Sequence, residues 1–354
     1  MVNLQNRKMP SLGTAWFYIG LSTLFTLLSW IQPLTGLILT PLAIALAATG
    51  ILSIPRLPYY LAVLLSLGVG LIPAGGLYLF TKIPALSVAA FAIAPAIALF
   101  VLTIRRRHSR SAGIHWIALV LTLFYAGAAV LFIWQWKDGF SLPILKGLYN
   151  DAKDWFVKGF SDLPGQYAEL LEQAGLTEDA LPDLFATFLA TTPGLCIALI
   201  WSMAWFASVC LRWLFNHYVY GADRFAKWPV TMPKFFAWLF IISFIGQVIP
   251  LTNSLWLVPV IACNLYYILT PAFFIVGCRA VKERILQARG CGCLTFVLIG
   301  TVFTMPLAAF MLLAMTGAFR TITPVPPAPV FTPFPSDHSQ DPQNPDDQGG
   351  NSQS

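Results

Sequence analysis

The side chains able to do chemistry in this chain are few, and most lie in or beside the polar links between long apolar runs. His108, His115, His217, Asp223, Glu283, Cys278, Cys291 and Cys293 form that set. Thiolates are good soft-metal ligands, so Arg289-Gly-Cys-Gly-Cys293 invites a metal reading. A second cysteine pair at zinc spacing is missing and the histidines are scattered, so no metal is expected. An intramembrane enzyme would have to gather His115, His217, Asp223 and Glu283 at one face. The sequence has no Gly-x-Ser-x-Gly elbow, P-loop or His-Glu-x-x-His motif, so neither a catalytic residue nor a cofactor is expected.

The remaining candidates bind rather than react. Trp201 and Trp205 stand one helical turn apart, away from the span ends where tryptophans collect. They read as an aromatic wall of a ligand pocket, as core filling or as lipid-facing side chains. Gln247 and Asn264 are the strongest polar side chains inside apolar runs, and each reads as a helix-packing hydrogen bond or as a ligand contact. Asp223 and Arg224, within Asn216-HYVYGADRFAKWPVTMPKF-Phe236, read as a local ion pair or as a docking contact for a partner.

The elements that must position these residues follow from composition. Only 10% of residues are charged, 57% are hydrophobic and the mean hydropathy is +0.72. A soluble chain carries roughly a quarter charged residues. Apolar stretches of about 20 residues recur, enough for a helix to span about 30 Å of hydrocarbon. The ten-residue alternation of barrel strands is absent. The expected fold is all-α, a polytopic transmembrane helical bundle of about nine spans, with eight as the alternative. The spans fall near 14–32, 35–54, 58–80, 84–104, 113–136, 191–214, 233–250, 254–279 and 292–317. The first reads as an uncleaved span, since no small-x-small site follows it. Gln32-Pro33 and Leu71-IPAG-Gly76 read as either loops or broken helices.

Four regions result: an N-terminal membrane bundle (1–136), an acidic amphipathic extracytoplasmic segment (137–190), a C-terminal membrane bundle (191–320) and a proline-rich disordered tail (321–354). In the second, Ile144, Leu145, Leu148, Tyr149, Trp155, Phe156 and Phe160 recur at helical spacing. A further helix is expected near Tyr167–Gln173, and another start signal has Thr177 as N-cap. Basic residues near span ends favour the cytoplasm. With the N-terminus inside, nearly every arginine falls inside together with Asp223 and Glu283, while Arg320 falls outside. The expected location is the cell membrane, and the net charge of +6 is a topology signal that calls for no nucleic acid. Ala43, Ala47, Ala90, Ala94 and Ala98 mark close helix packing, and Pro95 a kink. The near absence of ionisable groups at membrane depth disfavours a carboxylate-driven pump.

The order of parts resembles the YybS-like family of predicted bacterial multi-pass membrane proteins. The residues carrying the likeness are the basic turn Arg105-RRHS-Arg110, the acidic segment, Thr191-TPGLCIALI-Trp201, Arg224-FAKWPVTMPKFFA-Trp238, Val260-IACNLYYILTPAFFI-Val276 and Gly317-AF-Arg320. The acid usual after the last-span glycine is replaced here by Ala318 and Phe319. That family has no established function; its fold is similar to the substrate-binding subunits of energy-coupling-factor transporters. The resemblance implies a small-molecule-binding or transport subunit without its own ATPase, its pocket drawn from Trp201, Trp205, Gln247 and Asn264. The rival reading is a membrane scaffold that recruits a membrane-protein partner through its outer helix or its loops.

Overall fold

The computed structural model describes residues 11–30, 33–54, 57–106, 110–137, 139, 141–161, 180–218, 230–247, 257–287 and 305–323. They form eleven helices and no strand. These are α1 (Leu12–Leu28), α2 (Pro33–Ser53), α3 (Tyr59–Thr81), α4 (Pro84–Phe91), α5 (Ile93–Arg105), α6 (Arg110–Trp136), α7 (Leu142–Ser161), α8 (Leu181–Tyr218), α9 (Lys234–Gly246), α10 (Leu257–Gln287) and α11 (Pro306–Ile322). Among the described residues, six segments are long and apolar enough to cross a membrane, α4 and α5 counting together as one. Three shorter apolar helices are Leu12–Leu28 and Lys234–Gly246, within the expected first and seventh spans, and Ala308–Ile322, which overlaps only the second half of the expected last span, residues 292–304 lying outside the described residues. The outer surface is as apolar as the core: Phe17, Leu64, Leu79, Trp116 and Ile242 face outward, while Ile44, Ile93, Ile97, Ile114 and Leu121 fill the interior. An exterior of that kind suits lipid and not water.

Proline positions fix several local features. Leu71-IPAG-Gly76 stays helical inside α3, and Pro33 opens α2 at the position where its missing N–H costs nothing. Pro95 cannot donate to the carbonyl of Phe91, and the helix is interrupted at Ala92, between α4 and α5. The α3–α4 turn closes through Lys82, which takes the left-handed conformation (φ 57°) and donates its N–H to the Tyr78 carbonyl at 2.8 Å.

Helix α8 departs furthest from expectation. The segment boundary at Thr191 falls inside it, because it starts at Leu181 and runs through Pro193. Its first turns receive α7, whose Tyr149 and Phe156 rings sit 5.6 and 5.3 Å from that of Phe185. Trp155, expected on the same stripe, instead points outward and is 79% exposed. The expected helix near Tyr167, the Thr177 cap, the Asp223–Arg224 pair, Cys291, Cys293 and the tail from Pro324 lie outside the described residues.

Contacts along the helices give their directions. Helix α1 runs antiparallel to α2, with Ser22 donating to the Ala43 carbonyl and Gly50 against Ala15. Helices α5 and α6 are antiparallel, as are α6 and α8, and α9 and α10. Helix α8 is parallel to α10, pairing Gly194 with Asn264 and Ser202 with Pro271. Helices α10 and α11 are also parallel: Phe274 stacks on Phe310 at 4.5 Å, Gly277 meets Leu313 and Gly317, and Glu283 holds Arg320 at 3.3 Å. This corrects the expected charge partition, which set Glu283 and Arg320 on opposite sides. A carboxylate and a guanidinium in an ion pair share one end of the bundle.

Candidate functional site

A crevice of about 410 Å³ opens between α2, α8, α10 and α11. Leu199, Met203, Trp205 and Phe206 supply its α8 wall, and Pro271, Phe274 and Phe310 face them. The Phe274–Phe310 stack forms a flat aromatic surface, and Leu37 and Ile38 of α2 make one edge. Pro271 has no N–H, so its helix gives up a backbone bond at the wall of the crevice. Ser202 is the single hydroxyl in the lining, and it donates to the Ala198 carbonyl at 2.8 Å. What is left for a ligand is apolar area, with the Trp205 side chain part of the wall. The volume falls within the range of small-molecule sites, and the lining suits a flat, apolar or aromatic molecule.

Of the four residues expected to form a pocket, Trp205 lines this crevice and the other three lie elsewhere. Trp201 is 5% exposed on the face toward α6, where its indole N–H donates to His115 Nδ1 at 3.0 Å. A four-residue step turns a helix face by about 40°, enough here to part the two tryptophans. Gln247 caps α9 and donates to the Ser243 carbonyl at 3.4 Å.

Asn264 occupies the α8–α10 contact. Its Nδ2 donates to the carbonyls of Ala190 and Val260, both at 2.8 Å, and its Oδ1 accepts from Gly194 N–H at 2.6 Å. Ala190 and Gly194 would normally bond each other within the helix. Pro193 has no N–H for the Leu189 carbonyl and its ring crowds the turn before it, and in that turn the Asn264 carboxamide bonds both the Ala190 carbonyl and the Gly194 N–H. The close approach needs glycine: a Cβ on Gly194 would lie 2.7 Å from Asn264 Cα.

Of the four residues an intramembrane enzyme would need, the His217 side chain and Asp223 lie outside the described residues. His115 is engaged by Trp201, and Glu283 by Arg279 at 2.8 Å and by Arg320. The aromatic pair Phe274–Phe310 and the α2 edge were missed in the sequence, where nothing in their spacing sets them apart from lipid-facing residues. Fold and surface together define a membrane-embedded helical protein. No known protein family, curated protein or solved structure matches the chain.

Proposed function

We propose that this protein is a membrane-embedded subunit that binds a small apolar or aromatic molecule in the crevice beside Trp205. The observation that carries this reading is the crevice itself, walled by the Phe274–Phe310 stack and by Trp205. The resemblance to the YybS-like family and, through it, to substrate-binding subunits that borrow an ATPase points the same way. Thermal unfolding of the purified protein, screened across aromatic and apolar small molecules, tests it. A stabilising compound should lose its effect in Trp205→Ala and in Phe274→Ala, and keep it in Trp201→Phe. A broad screen without a hit, or hits indifferent to both crevice variants, would overturn the reading.

The bundle's orientation belongs to the same proposal. Helix α1 begins, and α11 ends, at the end of the bundle that holds Arg105, Arg110, Arg212 and Arg279, which supports an even number of crossings in place of nine. Moving Arg320 to that end leaves the opposite end with lysines alone, a sharper basic asymmetry than nine crossings give, and we place the arginine-rich end in the cytoplasm. Impermeant thiol labelling of Leu12→Cys and Arg320→Cys in sealed vesicles, in a chain whose native cysteines are serine, should modify both from the same side.

A scaffold role is favoured by one feature, the outward-facing Trp155 on α7. Under that reading a membrane-protein partner co-purifies with the wild type and is lost with Trp155→Ala, whatever happens at Trp205.

A further inference from the structure

We propose that Arg110, Ser208 and Arg212 form a binding site for a phosphate group at the arginine-rich end of the bundle, independent of the crevice. The source of the phosphate is either an anionic lipid headgroup or a soluble phosphate compound.

Arg110 is 8% exposed, and its Nε and Nη2 both donate to Ser208 Oγ, at 3.0 and 2.8 Å. The same hydroxyl donates to the Trp205 carbonyl at 2.7 Å, so its role toward Arg110 is that of acceptor. A neutral oxygen orients the guanidinium, and no carboxylate among the described residues pairs with it. Nη1 bonds nothing among the described residues. Arg212 lies one turn beyond Ser208 on α8, a four-residue step that keeps it on much the same helix face. Among the described residues the ion pairs are Lys137–Asp151, Arg279–Glu283 and Arg320–Glu283, and none reaches this cluster.

Two further features add positive potential. Arg110 is the first residue of α6, so it sits at the positive end of the helix dipole, where a base has the wrong sign. Arg105, at the end of α5, donates to the Leu57 carbonyl and lies over the Tyr59 ring, again without a carboxylate. A buried charge without a counter-charge is strongly unfavourable, and basic pockets between transmembrane helices are where anionic headgroups bind. The guanidinium fork matches phosphate geometry, with Ser208 holding one edge of the fork and Nη1 left for the ligand. Ser208 and Arg212 face α6, whereas Leu199, Met203 and Phe206 face the crevice, so one site can fail without the other.

The test uses the full chain in nanodiscs of phosphatidylcholine, with and without phosphatidylglycerol, and with added inorganic phosphate. Unfolding midpoints and native mass spectrometry are the readouts. Wild type should be stabilised by phosphatidylglycerol or by inorganic phosphate. Arg212→Gln should weaken that binding roughly fivefold, the factor equivalent to about 1 kcal/mol for one basic residue. Arg110→Gln should weaken it more, and if that variant fails to fold, Arg212→Gln and Ser208→Ala still decide. A response to phosphatidylglycerol alone assigns a lipid headgroup, and a response to inorganic phosphate in neutral lipid assigns a soluble compound. Equal midpoints in all three conditions, or Arg212→Gln binding as wild type does, would sink the proposal. So would anion binding that emerges only after Asp223→Asn, since a carboxylate of the chain would then be the counter-ion.

Discussion

Helix α10 meets two neighbours at close range, and it does so by opposite means. Against α8 the contact is polar: Asn264 threads its carboxamide between Ala190 and Gly194. Against α11 it is bare backbone, with Gly277 facing the Leu313 carbonyl and Gly317 facing that of Phe273. Lipid is as apolar as leucine, so neither contact is driven by excluding water, and both rest on what the backbones can do at short distance. The glycine contact gains dispersion and tolerates no side chain. The asparagine contact repairs a defect that proline made, and it tolerates no loss of polarity.

This contrast can be broken in order of expected effect. Gly277→Leu should be the most damaging substitution, costing about 3 kcal/mol or more, because its side chain must displace the Leu313 backbone. Reversible unfolding of the purified variant measures it, and a near-neutral result would mean that α10 and α11 are not packed as described. Asn264→Leu should cost about 2 kcal/mol by orphaning the Gly194 N–H and the Ala190 carbonyl. Its cost should shrink when Pro193→Ala restores a regular helix, and an unchanged cost in the double-mutant cycle would show that the amide does not compensate for the proline.

Smaller effects calibrate the comparison. Trp201→Phe removes the hydrogen bond to His115 while keeping most of the ring, and should cost roughly 0.6–1 kcal/mol. Glu283→Gln breaks both arms of the Arg279–Glu283–Arg320 group, whose side chains are about a third exposed or more. Its effect should stay below about 1 kcal/mol and fade with added salt, seen as converging midpoints of variant and wild type. A large, salt-independent loss would instead place that ion pair in a drier setting than its exposure suggests.

The two glycines and the asparagine also show what was legible beforehand. Asn264 stands out because a strong amide in an apolar run has to find partners, so its importance is readable and its partners are not. The expected span starts at Thr191, two residues before Pro193. Only the neighbouring helix reveals that the chain continues through it. Gly277 and Gly317 have no second glycine or alanine four residues away to mark a stripe, because their partnership runs between helices.

By itself the sequence determined the class: too little charge and too many apolar runs of bilayer length for anything but a helical membrane protein. Hydropathy and span length are local, additive quantities, and lipid leaves the backbone almost no alternative to helix. Tertiary structure alone decided that α10 and α11 run parallel, that Trp201 and Trp205 part company, and that a crevice opens beside Phe274 and Phe310. Those depend on how helix faces pair, and in an apolar solvent every face is apolar, so the pattern that tells inside from outside in a soluble protein is erased.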